Sequence, residues 1–368
     1  MPAPPHLEGS AAGRCAAALL KGLDADERVE LSAIAARFPG GAEGVAPDVP
    51  VELVSVPRQD RLQAWSELVR RPVAYLSQGE FGERVRELAA KADVLHLDQV
   101  QTARCDVGSD IPSLLHLHYL AYLDQPQVPR SLRRAVVRFG FGAAERHAAQ
   151  RHRFLLANST VVASELRRRA PQAEVTVVPL VLDPDHYLPS LNSREPVAGF
   201  IGTATWPMTA AASRRLVKRV WPLVRRELPT ARLLVAGRGS DALGLIPGPG
   251  VEIVGEVESG AEFFRGVSLL LFPAEAGSGT KVKTLEALAS GVPAVTTAVG
   301  AEGIAANDGV VVAEDDEALA RAAVSILRDD EERKQRGAAG LQAFREGHTP
   351  EIAAGMLFEL YSRMASST

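Results

Sequence analysis

A chain of 368 residues, 46% hydrophobic and 23% charged with a formal net charge of −4, has a globular composition and is longer than one ordinary core accommodates, so two domains are expected. The mild acidity excludes a global electrostatic drive towards nucleic acid. Cys15 and Cys105 are too few for a disulfide framework, which makes the cytoplasm the expected compartment, and neither a bilayer-spanning apolar run of roughly 18–20 residues nor a leader is expected.

The chain opens MPAPPHLEGSAAGRCAAALLKGL, a Pro-rich loop followed by Gly9, Ser10 and a helix. A doubly wound domain ordinarily starts with a strand, so the first N-terminal strand is missing here. Either the chain starts late, or RVELSAIAAR from Arg28 becomes the innermost strand, or the sheet has one strand fewer. Apolar runs from Val51, Ala92, Ser113, Phe154 and Val175 then read as strands, and a second series follows from Val197, Ala231, Val251, Val267, Pro293 and Val310. Continuous apolar runs suit parallel strands buried on both faces, and helical patterns separate them. One helix starts at Thr209, with Leu216, Val220 and Val224 on one face. The alternation predicts two doubly wound α/β domains, 1–183 and 184–348, joined through the proline-rich stretch from Pro179 to Pro196. Residues 349–368 form a helix with Thr349 as N-cap and Pro350 at its first position, expected to return to the N-terminal domain.

Ligands of doubly wound sheets bind beyond the carboxyl ends of the strands. Four glycine-bearing turns stand there in the second half: Gly202-Thr203, Gly237-Arg238-Gly239, Gly255-Glu256-Val257 and Gly277-Ser278-Gly279-Thr280. None completes a dinucleotide fingerprint, but together they would line one crevice with backbone N–H groups suited to phosphate. In GSGTKVKTLEALASGVPAVTT, from Gly277, Ser278 or Thr280 is positioned to cap a helix whose first turn carries Lys281 and Lys283. Cations at a helix N-terminus oppose the dipole. First-turn side chains reach forward over the glycine loop, so the conflict disappears if an anion sits there. Solvated lysines and a Lys283–Glu286 surface pair are the plain alternative.

FPAEAGSGTKVKTLEALASGVPAVTTAVGAEGI, together with the βαβ pattern from Gly199 and the VVPLVLDPDHY segment, resembles the retaining glycosyltransferases of family 4, the group 1 class. The likeness is good over about residues 175–346 and rests mainly on strand order before that. It implies a GT-B fold, two Rossmann-like domains facing a cleft, and a metal-independent enzyme with no cofactor beyond its nucleoside-diphosphate-sugar donor. By the same resemblance Glu286 binds the ribose, Lys281 and Lys283 the diphosphate, and Gly279 and Thr280 offer backbone donors. Val257 meets the base through its backbone, and Gly9 and Ser10 approach the phosphate from the N-terminal domain. The sequence departs from the pattern in two ways. Ser278 stands where a partner glutamate is usual, with Glu275 three residues too early, and no Arg or Lys follows the first C-domain strand until Arg214. Arg238 is a second candidate cation.

In SLLHLHYL, His116 and His118 share one face of a strand near its carboxyl end. The resemblance makes His118 the better candidate for contact with the donor sugar, and His96 ends another strand. Two histidines two apart are a partial metal signature, but the sequence offers no third ligand, so no metal is expected. Asp183-Pro184-Asp185 is a formal D-x-D in the interdomain crossing, where a metal role is not expected. The basic stretch 129–153, with Arg130, Arg134 and Arg138 on one helical face, is a candidate for peripheral membrane contact at the inner face or for an acidic acceptor; a solvated helix is the plain alternative.

The reading is a hexosyltransferase that moves a sugar to an acceptor hydroxyl or amine, with retention by same-face attack. The acceptor is open: a small molecule, a lipid-linked sugar or a polysaccharide. The rivals are a GT-B-fold nucleotide-sugar epimerase and a non-catalytic nucleotide-sugar-binding subunit.

Overall fold

The computed structural model describes residues 1–7, 9–39, 49–57, 76–77, 79–106, 110–125, 131–188 and 195–367, without the side chain of Arg133. Arg130 and the start of the basic stretch lie outside the described residues. The chain divides into two compact units, Met1–Val181 with Pro350–Thr368, and Leu182–Thr349.

Unit 1 contains α1 (Ala11–Asp24), β1 (Ala33–Arg37), β2 (Val51–Ser55), α2 (Gly79–Ala89), β3 (Leu95–Asp98), β4 (Ser113–Leu117), α3 (Leu132–Arg151), β5 (Phe154–Ala157), α4 (Thr160–Arg169) and β6 (Glu174–Val177). Strands β3-β4-β5-β6 form a parallel sheet in chain order, and β1 pairs with β2 in a separate parallel ribbon. Leu114, Leu115 and Leu117 of β4 and Leu155, Leu156 and Ala157 of β5 are at most 1% exposed, as unbroken apolar runs covered on both faces require. The segment from Arg28 does give a strand, β1, but it pairs with β2 and not with the four-stranded sheet. Its other flank meets the N-terminus: the Met1 amine donates to the Ile34 carbonyl (2.8 Å) and the Ala36 N–H to the Met1 carbonyl (3.0 Å).

Unit 2 contains β7 (Val197–Ile201), α5 (Pro207–Arg215), α6 (Trp221–Glu227), β8 (Arg232–Ala236), β9 (Val251–Gly255), α7 (Gly260–Arg265), β10 (Leu269–Phe272), α8 (Val282–Ala289), β11 (Ala294–Thr296), β12 (Val310–Val312), α9 (Asp316–Arg328) and α10 (Asp330–Gly347). All six strands run parallel, in the order β12-β11-β10-β7-β8-β9. The strand order reverses between β7 and β10, and that edge is where an open α/β sheet leaves its crevice.

The helix expected from Thr209 starts at Pro207 and carries a π turn, Leu216–Val220, between α5 and α6. Pro222 has no N–H and its ring would crowd the carbonyl four residues back; the wider turn, in which the Trp221 N–H reaches the Leu216 carbonyl, makes room. Trp221 stays buried in the unit 2 core.

The chain ends in α11 (Pro350–Ala365), which packs on α1 in unit 1. A side chain at Gly22 would overlap the Pro350 backbone. Leu357, Leu360 and Met364 join Ala18, Leu23, Leu114 and Leu156 in one apolar cluster.

Candidate functional site

Three glycine turns form a stepped edge in unit 2. The Gly202 N–H donates to the Ala236 carbonyl (3.1 Å), and the Gly237 N–H to the Gly255 carbonyl (2.7 Å). Gly237 has φ +113°, and any side chain there would overlap the Gly202 carbonyl; only glycine permits this approach. Thr203 is exposed beside it.

Lys283 reaches back from the first turn of α8 to this edge. A Cβ at Gly202 would stand 2.6 Å from its Nζ. The ammonium lies over the rings of Phe200 (4.9 Å) and Phe272 (4.5 Å), which end β7 and β10, the two strands of the switch point. A cation is thus supplied from α8 at the end of the first unit 2 strand, where the sequence itself has no Arg or Lys. Burial pulls the Lys283 pKa down to about 8, against the raising effect of Glu286. No carboxylate among the described residues pairs with this ammonium.

Glu286, one turn on, is 2% exposed, and its Oε1 accepts a hydrogen bond from the Tyr187 hydroxyl (2.9 Å). It is no surface partner of Lys283. The helix cap also differs from expectation. The N-cap position is Lys281, without a side-chain hydrogen bond, and neither Ser278 nor Thr280 caps α8; both are buried.

Lys281 is tied back into the loop. Its Nζ donates to the Gly279 carbonyl (2.5 Å) and lies 3.6 Å from Glu302, while Oε1 of Glu302 accepts the Gly279 N–H (2.7 Å). Gly279 has φ +74°. Glu302 is brought there by buried threonines: Thr284 donates to the Gly300 carbonyl (2.8 Å) and Thr297 to that of Ala274 (2.8 Å). Sequence reasoning missed Glu302, which lies 23 residues from Gly279. One carboxylate therefore already meets two of the groups expected to face a diphosphate.

The remaining unit 2 candidates stand apart from this cluster. Arg238 is exposed and paired with Glu256 (2.8 Å). Val257, just past β9, is half-buried against the unit 2 core. Glu275 lies 3.8 Å from both Arg215 and Arg219, with Asp316, and does not substitute for a glutamate at 278. Asp183 caps the short turn Pro184–His186 by accepting the Asp185 N–H (3.1 Å), so the D-x-D is a local cap.

In unit 1, Gly9 and Ser10 open α1. Ser10 is its N-cap, accepting the Gly13 N–H (3.2 Å), and the Gly9 carbonyl accepts from Arg14. The histidines gather at the carboxyl ends of β3 and β4. His118 Nε2 lies 2.7 Å from Asp98 Oδ1, and the His116 ring stacks on His118 with centroids 4.0 Å apart. Asp98 and His116 face each other in register across β3 and β4. His96 Nδ1 bonds the Tyr361 hydroxyl (2.7 Å), tying β3 to α11, and burial takes its pKa down to about 4. Burial raises the Asp98 carboxyl, but the charge and hydrogen bond of His118 outweigh it and hold the group well below its ordinary value. Gln99 follows with φ 66° and ψ 162°, a region open in practice only to glycine. The loop after His118 is shaped by Glu145, which accepts the Ala121 and Tyr122 N–H groups.

Residues 195–329 match the family described as Glycosyl transferases group 1. No curated protein matches the chain by sequence. Among solved structures, the chain is similar to sucrose-phosphate synthase from Thermosynechococcus elongatus, at 16% identity and TM-score 0.72 over 95% of this chain and 92% of that one. It is also similar to HepE of Anabaena, solved with UDP and glucose, at 13% identity and TM-score 0.67 over 96% and 97%. Trehalose-6-phosphate synthase OtsA aligns at 12% identity and TM-score 0.64 over 96% and 95%. At such identities the likeness is one of fold. The family match covers the glycine turns, Lys283, Glu286 and Glu302 within unit 2, and the fold of the chain is similar to that of these GT-B glycosyltransferases.

Proposed function

We propose that the chain moves a sugar from a nucleoside-diphosphate sugar to an acceptor hydroxyl or amine, with retention and without a divalent ion at the diphosphate. One observation carries this reading: the Lys283 ammonium, half-buried between Phe200 and Phe272 at the switch-point edge, has no anionic partner among the described residues. A diphosphate beside it relieves the desolvation of the cation, and the same charge stabilises the leaving group as the glycosidic bond breaks. Glu286, oriented by Tyr187, takes the ribose hydroxyls. The Val257 backbone takes the base, and the turns at Gly202 and Gly279 face the phosphates.

His118, oriented by Asp98, is assigned to the transferred sugar, and acceptor recognition to unit 1. Retention follows if the acceptor attacks on the face the diphosphate leaves, the phosphate taking its proton. No cofactor beyond the donor is needed, and the compartment is the cytoplasm. HepE, solved with UDP and glucose, makes UDP the first probe.

The test is a thermal-shift screen of nucleoside diphosphates and their sugars on the wild type, Lys283→Ala and Glu286→Ala. The best ligand is expected to stabilise the wild type and to lose most of its effect in both variants; full stabilisation in both overturns the assignment. Turnover then separates transfer from epimerisation and from binding without chemistry.

A second observation favours peripheral membrane contact. No helix among the described residues is long and apolar enough to cross a bilayer. In α3, however, Leu132, Val136 and Phe139 are 82%, 44% and 78% exposed at i, i+4 and i+7, with Arg134 and Arg138 on the other side of the helix. Such a stripe suits the interface of an anionic membrane. Co-sedimentation with vesicles containing phosphatidylglycerol is expected for the wild type and reduced for Phe139→Ala.

A further inference from the structure

The glycine loop that opens α8 already holds an anion. Glu302 stands in the turns after β11, with its side chain 7% exposed. Its Oε1 accepts the Gly279 N–H at 2.7 Å, and its other carboxylate oxygen lies 3.6 Å from the Lys281 ammonium. Burying a carboxylate is costly even when it is paired. The loop itself does not demand the charge. The Gly279 N–H needs only an acceptor oxygen, which a neutral amide also supplies, and Lys281 is tied to the Gly279 carbonyl as well (2.5 Å). A charge kept there acts on whatever binds beside it. Glu302 offsets Lys281 and leaves Lys283 as the cation of this edge without a carboxylate partner among the described residues.

Resting on the donor-site reading above, we propose that Glu302 is a specificity-determining residue that favours the nucleoside-diphosphate sugar over the free nucleoside diphosphate left by transfer. The two ligands differ in charge. In the donor each phosphate carries one negative charge. Transfer breaks the bond from the sugar's anomeric carbon to the terminal phosphate oxygen, which keeps the electron pair, while a new bond forms from that carbon to the acceptor. The acceptor's proton passes to the phosphate and then to water, because the second ionisation of such a phosphate lies at about pH 6. The product thus carries one more negative charge than the donor, on the phosphate that held the sugar. Lys283 attracts that charge, and Glu302, seated on the Gly279 N–H, repels it. The lysine alone would hold the product more tightly than the donor; the carboxylate offsets the difference. Departure of the diphosphate is eased at less cost to the donor, and product release is a common limit on turnover.

The full-length protein is titrated by calorimetry with UDP, ADP and GDP, each beside its glucose ester, as wild type, Glu302→Gln, Lys281→Gln and Lys283→Ala. The Gln side chain keeps an oxygen for the Gly279 N–H and removes the charge. Glu302→Gln is expected to raise affinity for the free diphosphate about 10-fold relative to its glucose ester, between what one extra charge is worth at a protein surface and in water. Lys281→Gln leaves the carboxylate unopposed and should shift the same ratio the opposite way. A purely structural brace would move both variants in one direction and both ligands alike. That pattern, or an unchanged ratio, overturns the selectivity while the donor site stands, provided Lys283→Ala weakens both ligands. If no pair binds the wild type, or Lys283→Ala binds as the wild type does, the donor site itself fails and the selectivity with it. Where thermal melting reveals a folding defect in Glu302→Gln, the shift in Lys281→Gln decides.

Discussion

In unit 2, the edge at β7 and β10 is made of backbone: glycine turns close enough to touch, with one lysine laid over them between two aromatic rings. In unit 1, the edge at β3 and β4 is made of side chains from two strands that already bind one another, Asp98 to His118 and His118 to the His116 ring. Among the described residues, the first arrangement leaves a cation without a carboxylate partner; the second answers its charge internally and leaves the nitrogens of His116 without hydrogen-bond partners. A site built from backbone fixes shape first, whereas one built from side chains fixes protonation states first.

The largest expected effect tests whether the unit 2 edge depends on backbone proximity. Gly237→Ala places a side chain on the Gly202 carbonyl at φ +113° and should destabilise the protein by about 3 kcal/mol or more in urea titration, combining positive-φ strain with overlap. A loss below about 1 kcal/mol, within the range of an ordinary surface substitution, would mean the turns have room to spare.

Next comes the cation. Lys283→Ala should weaken nucleoside-diphosphate binding by about 2 kcal/mol, roughly 30-fold, the scale of a charge-assisted hydrogen bond. Asp98→Asn should leave the same affinity within about two-fold, a range too small to reflect a lost charge-assisted contact. Equal losses in isothermal titration would erase the division between the two edges.

The pH dependence should differ in the same way. With Lys283 titrating near 8, the ammonium is present below that value and lost above it, so diphosphate affinity should fall as pH rises through about 8. Lys283→Arg should hold its affinity to about pH 10, because a guanidinium does not deprotonate there. In unit 1 the sign is opposite and concerns stability. Burial holds His96 near 4 against an ordinary 6.5, so within that window the unfolded chain takes up a proton that the folded chain refuses. Stability should therefore fall as pH drops from 6.5 towards 4, by at most about 1.4 kcal/mol per pH unit for one histidine. Denaturant midpoints at pH 7 and pH 5 measure it; a midpoint that does not fall would remove His96 from the account.

The smallest effect sharpens the unit 1 side. Gln99→Gly at φ 66°, ψ 162° should stabilise the protein by about 1 kcal/mol, the low end of such strain. A loss instead would mean that the Gln99 side chain holds the turn after Asp98.

Most strands were legible because their signal is local: buried parallel strands are unbroken apolar runs, and each of the eleven quoted runs contains a strand. AIAAR of β1 is short and built of small residues, so it stood out poorly. The π turn was not visible in the helical period, although Pro222 marks its cause. At the candidate site, the glycine turns, Lys283 and Glu286 were readable as a motif because steric demands on the backbone and the first turn of a helix act within a few residues. The cap assignment failed because Ser278 and Thr280 are turned into the protein and Lys281 occupies the cap position.

By itself the sequence determined the α/β alternation, the glycine turns and the lysine-bearing start of α8, all consequences of short-range backbone sterics and hydrophobic period. Only the tertiary structure decided which charges meet. Glu302 reaches Gly279 and Lys281 across 23 residues, Asp98 reaches His118 across 20, and Tyr187 reaches Glu286 across 99. Those pairings depend on strand register and strand order, which bring distant segments to one sheet edge. Among the described residues, they leave Lys283 without a paired carboxylate and His116 without a hydrogen bond.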